Sequence, residues 1–237
     1  MCGRYTLTTP HGQLLSQRFE APEEPAEETL ERFNVCPTEA IAVVSASGED
    51  GARVLHTVRW GLVPPWARAL GKGHEPINAR AETVATKHPF DKLYARPERR
   101  CLILADGWYE WLKSETRKGD RIPFRYTVDG GAPFAFAGLW SRKRLGEELV
   151  ASATILTTRA NAIAAPVHDR MPVVLAGPDE EAAWLAGDDA PELLGPLADD
   201  RVAVAPANPA VNRAGVEGPE LLTPPEPRPD AQQQLSL

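Results

Sequence analysis

Cysteine is scarce in this chain, and the scarcity narrows the kinds of protein that the sequence can encode. Only Cys2, Cys36 and Cys101 occur among 237 residues, and no two of them form a CxxC pair. An odd number of cysteines without such pairs argues against a disulfide framework and against a zinc knuckle. Each thiol must therefore be judged by its own position in the chain.

Long apolar runs are also missing. No stretch approaches the roughly 20 apolar residues that a membrane span requires, and Met1-Cys2-Gly3-Arg4 lacks the apolar core of a secretory signal. We therefore expect a cytoplasmic protein with no membrane partner. A hydrophobic content of 43% is typical of a soluble globular protein, and the length is sufficient for one domain with a substantial core.

The chain has no excess of positive charge, since its formal net charge is −7. This argues at first against a nucleic-acid partner, because phosphate contacts leave a basic footprint. The acidic residues are concentrated toward both ends, however, and residues 53–172 carry 20 basic and 12 acidic side chains, a local charge of +8. This basic middle could face a polyanion, although an ordinary solvated surface explains it equally well.

Many short strand patterns are present, with helical patterns scattered between them. Helices are predicted just after Pro10 and over residues 90–96, 160–165 and 179–185. Strands are predicted over residues 41–45, 53–60, 101–105, 108–112, 123–128, 134–140, 149–157 and 172–174. This order indicates an α+β fold: one domain, residues 1–222, around a mainly antiparallel, barrel-like β-sheet with peripheral helices. Residues 223–237 are rich in proline and glutamine and are predicted to be a disordered tail.

Cys2 is the first candidate for covalent chemistry because it directly follows Met1. Its small size permits removal of Met1, which leaves a free α-amine beside the thiol of the same residue. Such an amine has an ordinary pKa of about 7.7 to 8.0, so part of it is neutral and can attack an aldehyde at physiological pH. The thiol can then close a five-membered thiazolidine ring. The alternative is that Cys2 has no special role.

Two further segments carry candidate polar groups. Asn78 and Arg80 lie on one face of an extended segment, where the amide could orient an amine and the guanidinium could bind phosphate. Glu110 lies between Trp108 and Trp111, where partial burial would raise its pKa and suit it to proton transfer. The alternatives are a loop with a surface ion pair in the first case, and an exposed glutamate beside core tryptophans in the second.

Two more candidates lie at loop positions. His168 is one of five histidines and could transfer protons near neutral pH, while the neighbouring Arg170 could contact phosphate. Trp66 lies in a Pro-rich loop and could stack on an unpaired base. A structural histidine and a packed loop corner are the alternatives.

Taken together, these segments resemble one known family, the SRAP proteins, which are SOS response-associated peptidases or abasic-site processing proteins. The similarity extends to about residue 224. It rests on blocks that occur in the same order in this chain, namely Met1-Cys2-Gly3-Arg4-Tyr5, Asn34-Val35-Cys36-Pro37, Trp60-Gly61, Ile77-Asn78-Ala79-Arg80-Ala81-Glu82-Thr83, Asp106-Gly107-Trp108-Tyr109-Glu110-Trp111, His168-Asp169-Arg170-Met171-Pro172, Pro206-Ala207-Asn208 and Gly218-Pro219-Glu220-Leu221-Leu222.

The resemblance implies an enzyme that senses an abasic site in single-stranded DNA and crosslinks to it through a thiazolidine at Cys2, which shields the lesion. It also implies that no metal or other cofactor is needed, that lyase activity and self-removal of Met1 can accompany capture, and that the protein is a monomer associated with the nucleoid when bound to DNA. The site residues that it implies are Cys2 as nucleophile, Asn78 to position the amine, Glu110 and His168 for proton transfer, and Arg4, Asn34, Pro37, Trp66, Arg80 and Arg170 as DNA contacts.

Two departures from the family pattern affect these expectations. Ala67 follows Trp66 where family members often have a second tryptophan, so one stacking surface can be missing. Cys36 stands where a small residue is common, and we interpret it as a packed thiol because it has no adjacent amine.

Other functions remain open from the sequence. An N-terminal-nucleophile amidohydrolase or amidotransferase would use the Cys2 thiol against an amide, general proteolysis would follow the family's older name, and a non-covalent reader of single-stranded DNA would not need Cys2.

Overall fold

The described part of the chain, residues 2–47, 51–113, 121–187 and 191–223, contains thirteen β-strands and three α-helices in a computed structural model. Met1 and all but the first residue of the predicted tail lie outside the described residues, and the domain boundary at residue 222 stays a prediction. The helices are α1 Gly12–Arg18, α2 Phe90–Tyr94 and α3 Pro178–Ala186. The strands are β1 Arg4–Leu7, β2 Arg32–Val35, β3 Ala40–Ser47, β4 Ala52–Trp60, β5 Asn78–Arg80, β6 Arg100–Ala105, β7 Gly107–Lys113, β8 Arg121–Val128, β9 Phe134–Leu145, β10 Glu148–Arg159, β11 Arg170–Pro172, β12 Val174–Leu175 and β13 Val202–Pro206.

Five of these strands close into a barrel in the order β3, β6, β9, β10 and β4. The β3–β4 hairpin and the β3–β6, β6–β9 and β9–β10 pairs are antiparallel, while β10 runs parallel to β4 with Ser152 opposite Arg59. Short strands extend the barrel edges, since β5 and β11 pair with β10 and β12 pairs with β9. The predicted α+β fold with a mainly antiparallel, barrel-like sheet is confirmed.

A second, fully antiparallel sheet packs against the barrel in the order β13, β8, β7, β1 and β2. Tyr5 of β1 joins the two sheets because its ring contacts Trp60 of β4 and Phe136 of β9 at centroid distances of 5.3 and 5.8 Å. The N-terminal strand is thus held in the middle of the protein, and Cys2 lies two residues before it.

Strand β6 and the middle of strand β3 are buried on both faces. Ile41 and Val43 of β3 belong to the apolar cluster that includes the second sheet, whereas the intervening Ala42 and Val44 belong to a cluster with α1 and α3. This alternation follows from the period of two in an extended strand. The cluster that includes α1 and α3 therefore packs on one face of β3, and the cluster that includes the second sheet packs on the other face.

One prediction needs correction. The helix expected over residues 160–165 is not formed, and residues 162–167 form turns instead. Ala165 donates to the carbonyl of Asn161, but Pro166 has no N–H with which to continue the ladder. Strands β1 and β13 were not predicted, although the residues of β13 alternate in burial. Among the described residues, the helices are too short or too polar to cross a membrane.

Candidate active site

Cys2 is fully buried at the start of β1, within the cluster that joins the two sheets. Its carbonyl accepts a hydrogen bond of 2.7 Å from Nδ2 of Asn78, which fixes the backbone beside the thiol. Burial raises the pKa of the Cys2 thiol well above its ordinary value, and the charge of Glu110 raises it further. The thiol is therefore protonated at neutral pH, and it must lose a proton to a neighbouring group when it adds to a carbon atom.

Asn78 reaches Cys2 because β5 pairs in parallel with β10, with Asn78 opposite Ile155. Along this strand Ala79 is buried in the core, while Asn78 and Arg80 share the other face. Oδ1 of Asn78 is buried and has no hydrogen-bond partner among the described residues. Arg80 is exposed. The predicted common face of the amide and the guanidinium is therefore present, and the roles of Asn78 and Arg80 stay predictions.

Glu110 lies on β7, which pairs with β1 on one side and β8 on the other. The residue is only 3% exposed, and burial raises the pKa of its carboxyl group to about 7. The positive charge at the chain's amino terminus opposes this increase, and the charge of Asp169 adds to it. A carboxyl group with this pKa can both donate and accept a proton at neutral pH, as the sequence led us to expect.

His168 lies just before β11, which is held against β10 by pairing between Arg159 and Arg170. Its Nδ1 accepts the backbone N–H of Arg170 at 2.9 Å, which leaves Nε2 to carry the proton of the neutral ring. Burial and the positive amino terminus lower the pKa of His168. We infer that the 2.9 Å contact between Nδ1 and Asp169 is not a charged pair at neutral pH.

The amino terminus therefore connects the two proton-transfer candidates, because its charge lowers the pKa of both Glu110 and His168. The hydrogen bond from Asn78 to Cys2 and the effect of the Glu110 charge on the Cys2 thiol link three of the predicted catalytic residues, and the catalytic roles of all four stay predictions.

Arg170 is held within the protein by a carboxylate that the sequence analysis did not assign. Its guanidinium binds both carboxylate oxygens of Glu82 at 2.5 and 2.9 Å and the carbonyl of Thr157 at 2.5 Å. The Arg170 side chain is 13% exposed. Phosphate binding by Arg170 stays a prediction, and it would require Glu82 to share or release the guanidinium. Glu82 could have been suspected from its place two residues after Arg80.

Arg4 and Asn34 support each other at the junction of β1 and β2. Nη1 of Arg4 donates to Oδ1 of Asn34 at 2.9 Å and to the carbonyl of Val211 at 2.8 Å. The amide of Asn34 also donates to the carbonyls of Arg213 and Val216 at 3.0 Å, and the residue is fully buried. DNA contacts by both residues stay predictions, and a direct contact by Asn34 would require this arrangement to open.

Trp66, the predicted stacking surface, is more accessible to a ligand than the buried Asn34. Trp66 is 58% exposed in the loop after β4, and its ring lies 5.3 Å from that of His88. Pro37 is half-buried in the loop after β2. Both can meet a ligand without rearrangement of the core, and their contacts with DNA stay predictions.

The two remaining cysteines are buried and free, like Cys2. Burial raises the pKa of the Cys36 thiol, and its Sγ lies 3.1 Å from the carbonyl oxygen of Asn34. This agrees with a packed thiol. Within the described ranges, no group of three or more His, Cys, Asp or Glu side chains is arranged to hold a metal ion.

Comparisons with known proteins point to one family. A family model described as SOS response associated peptidase (SRAP) matches residues 1–214. The chain is 38% identical to the abasic site processing protein YoaM of Bacillus subtilis, over 78% of this chain and 79% of that protein. It is 34% identical to the abasic site processing protein YoqW of the same organism, over 94% and 99%. The fold is similar to a crystal structure of a protein from Bacteroides thetaiotaomicron, with a TM-score of 0.79 and 20% identity over 94% of this chain and all of the other.

Proposed function

This chain belongs to the SOS response associated peptidase (SRAP) family, and from that premise we propose that it captures abasic sites in single-stranded DNA covalently through Cys2. The main support for the proposal is that Cys2 is buried, is hydrogen-bonded by Asn78 and is influenced by the charge of the buried Glu110. The names of its relatives support abasic-site processing as the general role. The covalent step follows from the chemistry of the site residues.

The capture begins after Met1 has been removed, so that Cys2 carries a free α-amine. The amine adds to the C1′ aldehyde of the opened sugar, and the resulting carbinolamine loses water to form an imine. The Cys2 sulfur then adds to the imine carbon while the imine nitrogen gains a proton. One water molecule is released overall, and the product is a thiazolidine that joins the protein to the DNA.

Glu110 supplies and recovers the proton in this sequence. With a pKa raised to about 7, its carboxyl group can protonate the departing hydroxyl group. The carboxylate that remains can accept the proton of the Cys2 thiol, whose raised pKa makes spontaneous ionisation unfavourable. His168, with a proton on Nε2, can donate to the sugar oxygen as the ring opens.

Burial of Cys2 supports selectivity for abasic sites. Because the thiol is fully buried, an aldehyde must enter the protein to reach it. A deoxyribose without a base is smaller than an intact nucleotide, which carries a bulky ring, and can enter a buried site more easily. Arg80 is exposed two residues after Asn78 and would bind the adjacent phosphate.

Removal of Met1 by the same site is part of the proposal. Glu110 and His168 are the proton-transfer groups available there, and this one cleavage would account for the peptidase in the family description.

The decisive experiment measures intact mass and denaturing-gel mobility after incubation with single-stranded DNA that contains one abasic site. We expect a denaturation-resistant adduct of protein lacking Met1, at the mass of protein plus DNA minus one water, mapped to Cys2. Cys2→Ala should form no adduct and still bind the DNA, because phosphate contacts supply most of the affinity.

Cys101→Ala is the matched control, because Cys101 is an equally buried free thiol in the same cluster. It should retain the adduct. An adduct that persists in Cys2→Ala, or none with correctly processed protein, would contradict covalent capture and favour a non-covalent reader or an amidohydrolase.

A further inference from the structure

The hydroxyl group of Tyr126 is buried but is not hydrogen-bonded to any described residue. The residue is fully buried on β8, and its Oη has no hydrogen-bond partner among the described residues. A buried donor left unpaired destabilises a protein, so it is uncommon unless the group serves another purpose. Phenylalanine would fill the same space without this cost, so the hydroxyl group itself requires an explanation.

The pairing of β7 with β8 puts Tyr126 beside Glu110. Trp108 is opposite Tyr126 and Glu110 is opposite Phe124, so Tyr126 is the diagonal neighbour of Glu110 on the adjacent strand. Both side chains point to the same face because strand residues alternate in direction. Diagonal neighbours are within reach of an aromatic side chain. The charge of Glu110 also contributes to the raised pKa of Tyr126, after burial.

The position of the phenol ring is fixed by its surroundings. The ring stacks on Trp108 with a centroid distance of 5.0 Å and an interplanar angle of 12°. The two strands approach closely at this point, since a Cβ atom on Gly107 would lie only 2.8 Å from the carbonyl oxygen of Tyr126. The phenol ring therefore has a defined position on the same sheet face as the Glu110 side chain.

We propose that Tyr126 is a positioning residue for Glu110, whose hydroxyl group donates a hydrogen bond to the carboxylate that forms when Glu110 has given up its proton. The phenol keeps its own proton throughout, and Glu110 alone exchanges protons with the reacting groups. This inference rests on the proposed function for its catalytic consequence, but the hydrogen bond itself can be tested without DNA.

Other charges also act on Glu110 and must be kept constant in a test. Cys2 lies before β1, Asp169 lies before β11, and the charge of the amino terminus lowers the pKa of both Glu110 and His168. A substitution that leaves all of these groups in place is needed, and Tyr126→Phe removes only one oxygen atom.

The matched control is Tyr109→Phe. Tyr109 is also fully buried and lies between Trp108 and Glu110 in sequence, but its hydroxyl group donates to the carbonyl of Phe33 at 2.9 Å. Because it faces the other side of β7, it cannot contact Glu110 in the same way.

The first measurement is the titration of Glu110 followed by carboxyl ¹³C NMR in processed protein without DNA, with Glu110→Gln to assign the signal. We expect Tyr126→Phe to raise the pKa of Glu110 by about one unit, because the ionised form loses a donor. Tyr109→Phe should leave this titration unchanged and should lower the melting temperature. Equal Glu110 titrations in wild type and Tyr126→Phe would overturn the inference.

The second measurement is the rate of adduct formation between pH 5 and 9. We expect Tyr126→Phe to be about tenfold slower at neutral pH, with the alkaline limb moved to higher pH and the melting temperature unchanged or raised. A normal rate and profile would show that the hydroxyl group has no part in capture, which also overturns the inference. If wild type formed no adduct, the proposed function would fail, and the NMR titration would still decide whether Tyr126 binds Glu110.

Discussion

Replacement of Glu110 by glutamine provides a quantitative test of the site, because it retains the shape of the side chain and removes its charge. The folded protein raises the pKa of this carboxyl group from 4.5 to about 7, chiefly through burial. Each unit corresponds to about 1.4 kcal/mol, so the ionised carboxylate destabilises the folded state by roughly 3 kcal/mol. Glutamine has no such penalty.

The sign of the pH dependence follows from proton binding. Between pH 4.5 and pH 7 the unfolded chain has lost this proton while the folded chain retains it, so the wild-type free energy of unfolding falls as pH rises. The penalty is absent below pH 4.5 and complete above pH 7. Relative to wild type, Glu110→Gln should therefore become more stable by roughly 3 kcal/mol between pH 4.5 and pH 8.

Urea unfolding of both proteins at pH 4.5, 6 and 8 measures this difference directly. Glu147→Gln removes the same charge from an exposed position in the β9–β10 hairpin and controls for the change in net charge. The same Glu110→Gln protein should lose adduct formation although it is more stable at pH 8. A stability difference that does not vary with pH would refute the buried, proton-retaining state of Glu110.

Three further predictions concern DNA binding, proton transfer and the core. Arg80→Ala should weaken binding to single-stranded DNA and reduce the slope of log affinity against log salt by about 0.7, since one phosphate contact is lost; an unchanged slope in a salt titration would remove Arg80 from the phosphate site. His168→Ala should slow capture or its reversal without unfolding the protein, and normal rates at every pH would count against its role as proton donor. Glu181→Ala should lower the free energy of unfolding by about 3 kcal/mol, because Glu181 is fully buried and pairs with Arg18 at 2.7 Å and Arg53 at 3.5 Å. A loss below about 1 kcal/mol in urea unfolding would show that water replaces the carboxylate.

The structural features that the sequence predicted correctly depend on residues that lie close together in the chain. The patterns over residues 41–45 and 53–60 predicted strands β3 and β4, and the two-residue spacing of Asn78 and Arg80 predicted their common face. The helix expected over residues 160–165 failed because local pattern did not account for Pro166, which lacks an N–H.

Long-range pairing accounts for what the sequence did not reveal about the site. The partner of Arg170 is Glu82, which lies 88 positions earlier. Tyr126 and Glu110 become neighbours only through the register of β7 and β8, and neither residue type indicates that register. The buried, raised-pKa state of Glu110 was suspected from its tryptophan neighbours, but its extent depends on the second sheet.

The sequence by itself determined the chemical groups of this protein: an aminothiol once Met1 is removed, an amide and a guanidinium two residues apart, and a carboxyl group among aromatic rings. These follow from residue type and spacing, which are local properties of the chain. Only the tertiary structure decided which groups meet, because the parallel pairing of β10 with β4 and with β5 brings Asn78 to Cys2. It also decided their protonation, since the cost of charging Glu110 or Cys2 depends on how much water the two packed sheets exclude.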